Sequence, residues 1–510
     1  MSMATKRVNL RGRHLDLATV VQVARQRTPV EVNPDARARV QAARRVVDRL
    51  AGELRPIYGL TTGLGANRGV RLSPADLAQF QRSALQSRSV AVGPPFGTDV
   101  VRAMMLARAN CLAAGGSGIS PEVLDMLVAM LNAGVHPIVP SQGSIGGADL
   151  PPLAHLALPL IGLGEAEFHG ERLPGDEAMR QAGLSLVTLG PKDGMTLVSS
   201  NAASVGHGAL VLWDALQLLE AGTVASALSL EGFRGNPSPL DPSVQEARPA
   251  PGQVEAARKL RTLLQGSDLW DPGTPRFLQD PFSFRCISQV HGAAQAAVAF
   301  ARESVEIELN AAGDNPLVML ENGTILSTGN FHVPALALGF DLVGLALTQV
   351  TSLAAERIIR LMSTQSSGLP AFLTPHEGMR AGFATLQKTV TALGAEIRHL
   401  ANPGSLDFLP VSEGVEDHAT MAPLTVRKAG QIVDRLTAVV AIELMTAAQA
   451  VDLRGAIRLG RGTRAAFDAV RQVIEPLDED RVLSSEVERL HVLIASGKLL
   501  TAVRWALESQ

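Results

Sequence analysis

Apolar residues recur along much of this chain at three- and four-residue intervals, the spacing of one helix face. The pattern predicts helices over residues 100–114, 122–133, 289–312, 333–363, 378–400 and 426–450. Along 336–363 the repeat ends in a charged cluster, Glu356, Arg357 and Arg360. Strand signals are short, at 185–189 and 324–326. Several of these helices exceed the usual mean of about 11–12 residues. Helices apolar around most of their circumference need other helices around them. The fold class read from this pattern is all-α, a helical bundle that also buries surface between subunits. Two stretches interrupt it, 142–152 and 232–280, both rich in Pro and Gly and the second also in charge. Long irregular stretches are either surface excursions or active-site loops.

Composition narrows the class. Among 510 residues, 46 Lys and Arg face 49 Asp and Glu. That balance, mixed along the chain, lacks the basic footprint of a nucleic-acid binder. With 46% apolar residues the chain can build a large core. Two distant cysteines, Cys111 and Cys286, read as free thiols of a reducing compartment. The N-terminus lacks an apolar signal region, and no window of about 18 uncharged apolar residues is found. The expectation is a cytoplasmic protein that does not enter a membrane.

Five segments are dense in Gly, Asn or charge beside apolar helices. Residues 57–69, IYGLTTGLGANRG, hold the only tyrosine, Tyr58. Glycines let backbone approach a ligand closely, and a phenol can act as a base when its anion is stabilised. Residues 142–155, QGSIGGADLPPLAH, read as a tight turn feeding a helix with proline in its first turn. Residues 279–292, QDPFSFRCISQVHG, place Arg285 among apolar neighbours, suited to a buried ion pair or a carboxylate clamp. Residues 308–332 supply Asn310, Asp314, Asn315 and Asn330 as hydrogen-bonding or turn residues. Residues 415–421, VEDHATM, look like a metal cluster, but three consecutive side chains on a helix point about 100° apart. No HExxH or zinc-type spacing occurs either, so no metal is expected.

Taken in order, YGLTTGLG, LQSRSVAVG, PSQGSIGGADLPPLAHLALPLIGLGEA, KDGMTLVSSNAAS, FRCISQVHG, ELNAAGDNPLV, TGNFH and VEDHATM resemble the aromatic amino acid ammonia-lyase family, its histidine ammonia-lyases most closely. The resemblance implies an N-terminal active-site domain, residues 1–205, and a long central helical bundle with C-terminal helices, residues 206–510. It implies a carbon–nitrogen lyase acting on an amino-acid-derived small molecule, as a homotetramer whose sites are shared between subunits. On the matching positions it carries over Tyr58 as base, Arg285 as carboxylate clamp, and Glu416, Asn310, Gln279 and Phe331 as site residues.

The departures are informative. The family's Ala-Ser-Gly triplet, which cyclises to the electrophile methylidene-imidazolone (MIO), is replaced by Gly146-Gly147-Ala148 ahead of Asp149, one residue shorter. No serine or cysteine stands where one must be dehydrated, so no MIO and no other cofactor is expected. Ser199 replaces an Asn, Phe282 a Tyr and Arg88 a ring-binding His, and Lys388 is a cation foreign to the ordinary lyases. A primary amine has a lone pair to add to an electrophile; a quaternary ammonium has none and leaves as a neutral amine. The resemblance therefore points to the MIO-free branch that contains ergothionase. The expected reaction releases trimethylamine from a histidine-derived betaine such as ergothioneine or hercynine, leaving an aryl acrylate. Lys388 and Glu416 would contact the ring, and Phe282 and Phe331 would face the trimethylammonium by cation–π attraction. Arg88 and Lys388 also suit a lyase or isomerase for a more anionic substrate, and a non-catalytic relative would likewise lack the triplet.

Overall fold

Helices dominate, and their sequence explains them. A computed structural model describes residues 7–53, 56–73, 76–376, 378–406 and 408–509. The predicted helices appear as Thr98–Ala113, Pro121–Ala133, Ile287–Leu309, Pro334–Leu361, Leu386–Leu400 and Ala422–Arg454. Pro121 opens its helix at a position where its missing N–H has no partner to lose, and Gly134 closes it in the left-handed region. The helix expected from residue 378 starts only at Leu386. The strand Thr324–Leu326 pairs with Leu317–Met319. Residues 185–189 form no strand; Val187 N–H reaches only the Leu160 carbonyl.

The 32-residue helix Ala202–Phe233 was not predicted. Its glycines dilute the apolar repeat because they sit where neighbours come close. A Cβ on Gly206 would lie 2.6 Å from the Ala103 backbone. The expected loop 232–280 contains a further helix, Gln253–Leu263, whose buried Ala256, Ala257, Leu260 and Leu263 form one face.

Two compact units result, and they are not the expected blocks 1–205 and 206–510. The first runs to Trp213 and takes in Ala301–Phe340 and Pro403–Arg427; the second comprises Asp214–Phe300, Asp341–Asn402 and the chain from Lys428. The cut moves because later segments return to complete the first unit. Asn310 clasps Leu15, and Thr420 and Met421 bond the Ile145–Gly146 backbone.

Three helical stretches, Asp193–Phe233, Pro334–Leu361 and Ala422–Arg454, are long and apolar enough to cross a membrane. They qualify under a criterion that admits up to two charges, which the reading of uncharged windows did not. Their most apolar windows are 72%, 50% and 83% buried within the protein. Both cysteines are free, and burial pushes the Cys111 thiol up to about 12.

Candidate active site

The first unit holds two adjoining cavities of about 540 and 500 Å³. Tyr58, Gly65, Gly147, Ala148, Met195 and Glu416 line both. Arg88 lines the larger; Ser199, Asn315 and Phe331 line the smaller. Volumes of 300–1,000 Å³ are usual for small-molecule sites.

Tyr58 is fixed by its own loop. Leu60, fully buried, is packed in a core cluster with Val47, Leu50 and Val318 and pins the turn. Gly59 has φ +67°, a conformation that disfavours side chains, and it lets the chain fold back. The Gly65 N–H then donates to the Tyr58 Oη at 3.2 Å.

Arg88 follows the helix Leu77–Gln86 and donates to the Ala84 carbonyl at 3.1 Å and the Ser87 hydroxyl at 3.2 Å. Burial lowers its pKa, while Tyr58 and Glu416 both pull the other way. The guanidinium thus shares its cavity with Tyr58 and Glu416. Glu416 is half-buried, its backbone bridged to Val411.

From the loop 143–148, Gly143, Ile145, Gly147 and Ala148 line the larger cavity and Gly147 and Ala148 the smaller. Asp149 anchors it from below, fully buried. Its carboxylate accepts from Ser144 Oγ at 3.1 Å, Ser204 N–H at 2.7 Å and Ser204 Oγ at 3.1 Å. Burial nevertheless pushes this carboxyl up to about 6. Thr420 Oγ1 donates to the Gly146 carbonyl at 3.0 Å, tying the loop to the segment that carries Glu416. Ala148 sits at φ +62°, a strained conformation at the cavity surface. Neither Gly146, Gly147 nor Ala148 carries a hydroxyl or thiol that could be eliminated. Ser144, the one hydroxyl inside the loop, is committed to Asp149 and accepts the Gly146 N–H at 3.2 Å. These residues do not fit the Ala-Ser-Gly cyclisation.

Ser199 ends the helix Asp193–Val198 and exchanges hydrogen bonds with the Asn315 backbone, at 3.1 and 3.2 Å. Asn315 lines the cavity; Asn310 does not. Asn310 spends its amide on Leu15 N–H, Leu15 O and Glu306 O, at 2.7–2.8 Å, and holds the N-terminal segment. The expectation for Asn310 is corrected accordingly, and Asn315, five residues on in the same motif, takes the place at the site. The Asn315 Oδ1 accepts from Thr328 N–H at 3.0 Å. Phe331 accepts Asn201 Nδ2 on its backbone carbonyl at 2.7 Å and lines the smaller cavity. Next to it, His332 Nε2 and His418 Nδ1 are 2.8 Å apart and join the Phe331 and Glu416 segments.

The other predicted residues belong to the second unit, and none lines these cavities. Lys388 is exposed in the first turn of Leu386–Leu400, and Gln279 is exposed. Phe282 is 69% exposed, and the Arg285 guanidinium lies 4.7 Å from its ring centre. The structure thus pairs Phe282 with Arg285. Among the described residues, no three His, Cys, Asp or Glu side chains are grouped to hold a metal ion.

Comparisons with known proteins follow the same lines. The aromatic amino acid lyase family model matches residues 15–472. Histidine ammonia-lyase of Symbiobacterium thermophilum is 44% identical over 494 residues, covering 96% of this chain and 97% of its own. Among solved structures, ergothionase of Treponema denticola, in complex with desmethyl-ergothioneine sulfonic acid, superposes with a TM-score of 0.93 at 37% identity, covering 97% of this chain and 100% of that one. Tyrosine aminomutase of Streptomyces globisporus gives 0.94 at 32% identity, with 99% and 100% covered.

Proposed function

The chain belongs to the aromatic amino acid lyase family and is a carbon–nitrogen lyase, and within that family we propose that it eliminates trimethylamine from a histidine-derived betaine, ergothioneine or hercynine, without an MIO. One observation carries this reading: the cavity wall at Gly146–Ala148 offers nothing to dehydrate, while Tyr58, Arg88 and Glu416 still converge on the same space. The ergothionase likeness supports the betaine, and the histidine ammonia-lyase likeness supports an imidazole ring.

The reaction needs three things from the protein. The Tyr58 oxygen takes the β-proton of the substrate, and the electrons of that C–H bond form the Cα=Cβ double bond. The Cα–N bond breaks with its electron pair, and trimethylamine departs neutral. Glu416 holds the ring, and Lys388 stabilises charge that develops on it. Arg285 grips the carboxylate bidentately.

Lys388, Arg285, Gln279 and Phe282 reach the substrate by assembly. The working enzyme is a cytoplasmic homotetramer in which one copy supplies them to the Tyr58 cavity of another. In this reading Phe282 supports Arg285, and Phe331 faces the trimethylammonium, an attraction of about 0.5–2 kcal/mol.

The test combines two readouts on the purified enzyme. The peptide spanning 143–155 should have its encoded mass, not one lowered by two waters. Turnover of hercynine should survive borohydride, which reduces an MIO. A peptide lighter by two waters, or activity abolished by borohydride, would return the protein to electrophilic deamination.

A further inference from the structure

The second unit contains a buried ion pair that the proposed chemistry does not use. Arg357 and Glu443 are both 0% exposed. Arg357 Nε donates to Glu443 Oε1 at 2.6 Å and Nη2 to Oε2 at 3.1 Å. Ser229 Oγ donates to the same carboxylate at 2.9 Å. Burying two charges is costly, and well-packed apolar residues often serve stability equally well. The pair therefore calls for another reason to exist.

The third guanidinium nitrogen points to that reason. Arg357 Nη1 donates to the Ser283 carbonyl at 3.0 Å. Ser283 lies in the four-residue helical turn Phe282–Arg285. A turn that short leaves carbonyls without helical partners. The bidentate grip of Glu443 fixes the plane of the guanidinium, so Nη1 is aimed by the carboxylate and not by a flexible stem. Phe284 anchors the turn as well, its ring stacked on that of Phe233 with centres 4.0 Å apart. Arg285 follows these two anchors directly, its Nε buried and without a hydrogen-bond partner among the described residues.

We propose that Arg357, aimed by Glu443, is a positioning residue for Arg285: it sets the turn that presents the Arg285 guanidinium to the substrate carboxylate. This rests on the reading of Arg285 as the carboxylate clamp. Arg357 touches no substrate and acts only through the Ser283 carbonyl.

Removing Arg357 alone strands the Glu443 charge, and such a variant can fail to fold. The test therefore removes the pair together, Arg357→Met with Glu443→Leu, and adds Arg357→Lys, which keeps the charge but not the fork. With hercynine as substrate, the double variant should raise KM about tenfold and change kcat less than about threefold. Arg357→Lys should fall between it and wild type. Inhibition by N,N,N-trimethylhistamine, which lacks the carboxylate, should be unchanged. Hydrogen exchange of the 282–286 amides should quicken in the double variant, a readout that needs no substrate.

Equal weakening of hercynine and trimethylhistamine, or unchanged exchange in 282–286, would overturn the positioning role. Arg285→Met separates the two claims. If it raises KM while the double variant does not, the clamp stands and the positioning role falls. If Arg285→Met leaves KM unchanged, the clamp itself is wrong.

Discussion

Two adjacent glycines in the cavity wall should respond to the same substitution in opposite ways. At Gly146 the backbone has φ +77°, and a Cβ would lie 2.3 Å from Thr420 Oγ1 and 3.0 Å from the Ala422 nitrogen. Placing alanine in the left-handed region costs roughly 1–2 kcal/mol. Thr420 would have to turn away, giving up its bond to the Gly146 carbonyl at 3.0 Å and the one it accepts from Ala422 N–H at 3.3 Å. Each such bond contributes about 1 kcal/mol, and the site is buried. Against this, alanine restricts the unfolded chain and returns about 0.4–1 kcal/mol. The balance for Gly146→Ala is a loss of about 2–4 kcal/mol. At Gly147 no heavy atom lies within 4 Å of the added Cβ. Gly147→Ala should leave stability unchanged or slightly raised, while its methyl enters the substrate space and lowers turnover. Thermal unfolding of the two variants at one scan rate is the assay. The expected shift is roughly 2–4 °C downward for Gly146→Ala and within about 1 °C for Gly147→Ala. Equal shifts, or none at Gly146, would refute the loop geometry on which the site rests.

Other consequences can be checked as directly. Tyr58→Phe should lower kcat on hercynine by about 10²–10⁴-fold with KM little changed, the range for losing a general base; retained activity would move the base elsewhere. Arg88→Met removes the cation that shares the cavity with Tyr58 and Glu416, so KM for hercynine should rise several-fold with the fold unchanged by circular dichroism; an unchanged KM would leave Arg88 no part in the site. Lys192 is fully buried, donates to the Ser117 carbonyl at 2.6 Å and is pulled by burial down to about 8. With its ordinary value near 10.5, the unfolded chain binds the proton more tightly between pH 8 and 10.5, so stability rises with pH there. Across that window wild type should gain up to ~3 kcal/mol over Lys192→Met in denaturant titrations; parallel curves would contradict the buried cation.

Much of this was legible in the sequence because long amphipathic helices announce themselves. The helix Ala202–Phe233 was hidden by glycines whose purpose is packing, which only the neighbouring backbone reveals. Residues 185–189 have a strand's composition, but no second strand is offered to them. At the site, the motifs led to Tyr58, Arg88, Ser199, Phe331 and Glu416, and the fold brings all five to adjoining cavities. The choice of Asn310 over Asn315 went wrong for a spatial reason. Both are amides in one motif, and only the structure shows that Leu15 occupies the first. The positioning contact of Arg357 with the Ser283 carbonyl was equally out of reach, because a main-chain acceptor has no sequence signature.

The most direct measurement is the identity of the released amine. Purified enzyme would be given hercynine, ergothioneine and histidine separately, with headspace mass spectrometry for trimethylamine and a coupled assay for ammonia. The account predicts trimethylamine in equal amount to an absorbing aryl acrylate from at least one betaine, and no ammonia from histidine. Ammonia from histidine with no trimethylamine from either betaine would contradict it.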